Sequence, residues 1–175
     1  MIASMKSLWP VASRIKVSVA LTALLLALVS CQYSLALWVL PGSSAQNLIL
    51  GISERQDGQE KVQIQELYLY PCSTIQNRGS EGYYPSRKQA TWAVVEQTSD
   101  PKPPTNRIVY GQIPRGLHLV QGPQPLDSPG CYVLLVYATD THGDIRSATT
   151  GFRIDATGNV TEMSRSEYRK VFGGP

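Results

Sequence analysis

From Ala45 onward the apolar residues recur with a period of two far more often than 3.6, and that periodicity constrains the fold more than any other feature. The runs NLILGIS (47–53), KVQIQELYLY (61–70), ATWAVVEQ (90–97), RIVYGQI (107–113), LHLVQ (117–121), CYVLLVYATD (131–140), ATTGFRID (148–155) and GNVTEM (158–163) are short and rich in β-branched and aromatic residues. Clusters of Gly, Pro, Asn and Ser separate them, the pattern of strands joined by tight turns. Closely spaced strands of this kind pack as antiparallel sandwiches or barrels. We therefore expect an all-β antiparallel β-sandwich of about seven to eight strands over residues 45–163, followed by a short C-terminal helix or tail over 164–175.

The punctuation between the runs refines this. THGD (141–144) and ATGN (156–159) are hairpin-type connections, so the last three strands should form a meander. In 61–70, Val62 and Ile64 are out of phase with Leu67 and Leu69, which predicts a bulge near Gln65 and Glu66. Ser164 and Glu167 have capping-box spacing, opening a short helix over SRSEYRKVF. Two loops are long: PCSTIQNRGSEGYYPSRKQ (71–89) and the Pro-rich QTSDPKPPTN (97–106). Loops of that length are disproportionately functional.

Ahead of the domain lies a basic segment with Lys6, Arg14 and Lys16, then an apolar stretch from Val17. The chain carries 16 basic and 13 acidic side chains, and those three basic residues precede Cys31 without an acidic partner, so the remainder balances at 13 against 13. A neutral domain has no electrostatic footprint for nucleic acid, which is set aside as a partner. Leu28, Val29, Ser30 and Cys31 follow the apolar stretch and resemble the lipobox of bacterial lipoproteins. The resemblance implies a signal peptide over 1–30, cleavage after Ser30, S-lipidation of Cys31 and a tether over 31–44. The alternative is a retained transmembrane helix: Val17 to Leu40 is free of charge and, as helix, about 36 Å long, enough to cross a bilayer core of about 30 Å, with Trp38 at the far interface. In both readings the basic flank stays in the cytoplasm and the domain is extracytoplasmic, held at the membrane by lipid or helix.

With Cys31 lipidated, Cys72 and Cys131 remain as an even pair in an oxidising compartment, where a disulfide is expected. The segment LDSPGCYVLLVYATD resembles the penultimate strand of immunoglobulin-like domains, with Tyr132 as corner tyrosine and Trp92 as core tryptophan. A bridge from the end of one strand to the start of the other requires those strands to be antiparallel, whereas the strands bridged in immunoglobulin domains run the same way. The order TWAV, RIVYGQIPRG, LDSPGCYVLLV, FRIDATGNV, over residues 91–160, is also similar to a loose group of small uncharacterised bacterial lipoproteins. That likeness implies structure and no activity.

Chemistry is sparsely signalled. His118 alternates with Leu117 and Leu119 as a solvent-facing strand residue, and His142 with Asp140 and Asp144 reads as a polar hairpin turn, short of the ligands that calcium or zinc asks for. No GxSxG, SxxK or paired Cys and His marks a nucleophile, and no Gly-rich loop opens a helix. We expect no enzyme, no cofactor and no metal. Tyr83 and Tyr84 lie in the long loop beside Arg78 and Arg87, an interface-like composition. The expectation is a non-catalytic interaction module, an accessory subunit of an envelope protein assembly, with small-ligand or glycan binding as the alternative.

Overall fold

The computed structural model describes residues 35–54, 59–75, 85–96 and 102–172. Cys31 and the leader, together with Arg78, Tyr83 and Tyr84, lie outside the described residues. The chain divides into Met1–Tyr33 and Ser34–Pro175, and the described residues all belong to the second unit.

That unit is predominantly β, with nine strands in two antiparallel sheets among the described residues. β1 (Ala36–Val39), β2 (Ile49–Ser53) and β5 (Arg107–Val109) form a three-stranded sheet in the order β1-β2-β5. β6 (Leu117–Gln121), β4 (Trp92–Glu96), β3 (Gln63–Pro71), β7 (Gly130–Thr139), β8 (Ile145–Ile154) and β9 (Val160–Glu162) form a six-stranded sheet in that order. Both sheets contribute to one core: Leu37, Leu50, Ile52 and Ile108 from the smaller, and Leu67, Trp92, Leu134 and Phe152 from the larger, are buried together.

The expected meander is present, β7, β8 and β9 being consecutive neighbours. The bulge is present as well: the β3–β7 register shifts between Ile64 and Glu66, which returns Leu67 and Leu69 to the core face already occupied by Val62 and Ile64. At the other end Ser164 opens α1 (Arg165–Phe172) with the expected box, its backbone N–H donating to Glu167 Oε2 at 2.9 Å and its Oγ accepting from the Glu167 N–H at 3.3 Å.

Two expectations are corrected. Residues 36–39, assigned to a tether or to the end of a membrane helix, are strand β1, paired with β2 from Ala36↔Ser53 to Val39↔Leu50. Trp38, assigned to a membrane interface, covers Gly51 across the pair; a Cβ at Gly51 would lie 2.3 Å from the indole. The glycine is the gap that the tryptophan fills. Among the described residues no helix is long and apolar enough to cross a membrane. Residues 40–45 are equally part of the domain: Ser44 bridges Asn159, and the Ala45 N–H donates to Gly158 O at 2.9 Å. The second correction concerns 107–113. The strand stops at Val109, where the Gln112 N–H turns back onto the Val109 carbonyl at 3.1 Å and Gly111 takes φ 80°, a conformation open to glycine at no steric cost.

β7 is buried on both faces, which explains why GCYVLLVYAT shows so little alternation. Tyr132, Leu134, Val136 and Ala138 enter the main core, while Leu135 and Tyr137 join a second cluster with Tyr68, Tyr70, Ala90, Ala93 and Val95 on the outer face. Next to that cluster Met163 and Tyr168 approach Gly151, where a Cβ would lie 2.8 and 3.3 Å from them.

The disulfide joins Cys72 to Cys131, with Cα atoms 5.3 Å apart and a sequence separation of 59. It links the end of β3 to the start of β7, which are antiparallel neighbours in one sheet. In the chain-entropy view, closing a loop of that size is worth about 4 kcal/mol. Replacing both cysteines by alanine should therefore lower the unfolding free energy by about that amount, with the denaturant midpoint falling and far-UV circular dichroism unchanged under native conditions. An unchanged midpoint would contradict this.

Candidate functional site

Of the binding residues expected in the long loop, Arg87 is the one within the described residues. Its guanidinium carbon lies 5.5 Å from the Tyr68 ring centroid, and Nη2 lies 3.2 Å from Glu66 Oε1. The Tyr68 hydroxyl donates to Glu66 Oε2 at 2.5 Å, and that of Tyr70 donates to the Pro85 carbonyl at 3.2 Å. Burial raises both phenol pKa values, that of Tyr70 to about 12, so they remain neutral hydrogen-bond donors across the physiological range. Ser86 and Gln89 close a reciprocal box around the 3-10 turn that carries Arg87. The returning limb of the loop is thus fixed on the outer face of β3, and Arg87 is engaged there with Glu66 and Tyr68.

The hairpin between β7 and β8 gathers the other expected polar cluster. Asp140 Oδ1 accepts the N–H groups of His142 and Asp144, each at 2.9 Å, and Oδ2 accepts Arg146 Nε at 2.6 Å. The arginine and these N–H groups lower the Asp140 pKa against the opposing effect of burial. Sequence reading missed Glu54, which comes from the end of β2: its carboxylate accepts the Thr141 N–H and, at 3.0 Å, the Thr141 hydroxyl. Ligand atoms of Glu54, Asp140 and His142 lie within 4.8 Å of one another. Glu54 thereby ties the hairpin to the residue that follows β2, while Asp140 accepts from within the hairpin itself. These hydrogen bonds staple the turn.

His118 departs from its expectation. It is half-buried on β6, and its Nδ1 is shielded from solvent without a hydrogen-bond partner.

An opening lies where no site was expected, along β5. It is a groove of about 410 Å³, within the roughly 300–1,000 Å³ range of ligand sites. Pro103 and Pro104 line it from the segment before β5, Ile113 and Pro114 from the segment after it, and Arg107 and Arg115 line it as well. Both walls are held from below. Lys102 is buried, with Nζ 2.5 Å from Glu96 Oε1 and 2.8 Å from Gln65 Oε1, so the bulge residue of β3 anchors the Pro-rich segment. The Lys102 stem passes under Gly116, where a Cβ would lie 2.9 Å from Lys102 Cγ, and that contact joins the two walls. Thr105 pairs with Val62, and its hydroxyl closes both backbone groups of Arg107 at 2.9 and 3.1 Å. The outer edge of β5 is therefore largely occupied by its own flanks.

Neither a family model, nor a curated protein, nor a solved structure matches this chain. The site is accordingly read from its geometry alone.

Replacing Lys102 by methionine keeps the stem over Gly116 but leaves Glu96 and Gln65 without their cation. Because the Glu96 side chain is 37% exposed, the cost should be modest, about 1–2 kcal/mol. Hydrogen exchange should accelerate locally at 104–109, with β7 amides unaffected. Uniform acceleration across the domain would show that Lys102 supports the whole fold and not the groove wall.

Proposed function

We propose that this protein is a lipid-anchored, extracytoplasmic and non-catalytic interaction module of the bacterial cell envelope, an accessory subunit of a protein assembly there. The observation that carries the reading is the preformed groove along β5, which offers apolar proline faces and cationic edges on a stapled scaffold. The disulfide supports an oxidising compartment. Strand β1 supports the lipobox reading of Cys31, because SLALWVL, an unusual tether, is accounted for as part of the domain.

The domain is an immunoglobulin-like sandwich in this reading. The order β1-β2-β5 corresponds to strands A, B and E, and β4-β3-β7-β8 to C′, C, F and G, with β6 and β9 added at the edges. Tyr132, on the F-equivalent strand, accepts the Asp127 N–H at its hydroxyl at 2.6 Å, as a corner tyrosine does, and Trp92 is fully buried. Cys72 and Cys131 then connect C to F within a sheet, which is why the bridged strands are antiparallel.

Ala36 follows Cys31 by five positions, at most about 18 Å of extended chain, so an anchor at Cys31 keeps β1 close to the membrane surface. Cys31→Ser should abolish lipid labelling and leave a longer precursor. Unchanged mobility and labelling would instead favour a retained membrane helix. For the module itself, affinity purification from cross-linked membranes should recover one stoichiometric protein partner. Recovery of none, with glycan or small ligand bound instead, would overturn the accessory-subunit reading.

A further inference from the structure

We infer that the groove along β5 receives an extended, carboxylate-bearing segment of a partner protein; the inference deepens the module reading and rests on it. Charge carries the first part of the argument. Arg87, Lys102, Arg146 and Arg153 each lie within ion-pair distance of a carboxylate. Arg107 and Arg115, both exposed at the groove, have no ion-pair partner among the described residues. Guanidinium groups match carboxylates in a two-pronged geometry, and two of them bordering one cleft select for an acidic ligand.

The walls decide what kind of acid. Pro103, Pro104 and Pro114 present rigid apolar faces, and Ile113 is 47% exposed beside them. Among the described residues no aromatic ring lines the groove, and stacking on an aromatic face is what a sugar acid calls for. A cleft open along its length, with apolar walls and charged edges, suits an extended peptide, whose residues i and i+2 share one face. Such a segment brings an acidic side chain to an arginine and an apolar one to the prolines together. Lys102 and Thr105 fix the walls beforehand, so binding costs little ordering of the groove.

The test pans the full-length protein, in detergent, against a displayed library of random dodecapeptides, alongside the R107Q, R115Q and doubly substituted proteins. The expected result is enrichment of peptides that combine Glu or Asp with apolar residues. Affinity for the enriched peptides should fall about tenfold for each arginine replaced. Both arginines are exposed, and an unchanged near-UV spectrum confirms that the variants fold. No acidic enrichment over the unselected library, or equal enrichment on the double variant, overturns the inference. So does saturable binding of oligogalacturonate, a carboxylate-bearing sugar, in place of peptide. If the double variant still captures the cross-linked envelope partner at the wild-type level, the groove assignment fails while the module reading stands.

Discussion

The pairing of β3 with β7 is the constraint on which the remaining structure depends. These strands lie at the centre of the larger sheet, are bridged at one end by Cys72 and Cys131, and carry at the other the bulge that sets the phase of β3. Without the extra residue, Leu67 and Leu69 would turn outward, and the main core would lose two of its fully buried side chains. The bulge also frees the Gln65 side chain, which donates to Thr139 Oγ1 at 2.7 Å and accepts from Lys102. One local irregularity thus connects the core to the Pro-rich segment and, through it, to the groove.

Much of the fold was legible because its signals are local. The bulge followed from a phase conflict within one strand, the meander from two short turns, the helix start from one side chain three residues before another, and the disulfide from parity and compartment. Strand β1 was hidden for a physical reason: ALWV continues the apolar run of the leader, and an uninterrupted apolar sequence has no period to read. It brings the count to nine strands among the described residues, one beyond the seven to eight expected. The length of β8 was concealed similarly, since IRSA carries little apolar alternation and is ordered by its pairing with β7.

The candidate site was less legible. A tyrosine pair beside arginines is a compositional signal, and the described part of that loop shows Arg87 engaged with Tyr68 and Glu66. The groove joins two turns to a three-residue strand, and its arginines are eight positions apart on either side of a glycine turn. The segment before β5 is anchored by the buried Lys102, and nothing in KPPTN distinguishes a buried lysine from a solvated one. Trp92 shows the same limit: its place in the core was foreseen, but not the solvent-shielded Nε1 without an acceptor, or the Tyr110 ring set edge-on 5.2 Å away.

Placing the first strand directly after the N-terminal segment has a mechanical consequence. A pull applied through that segment enters the domain at β1, an edge strand held by β2 and by the Trp38 cover over Gly51. β1 is the element such a load reaches first, while the covalent link between β3 and β7 keeps the larger sheet from being drawn apart. Under tension the smaller sheet is the compliant part of the molecule. The groove along β5, on the far side of β2, is attached to that part and would report the strain.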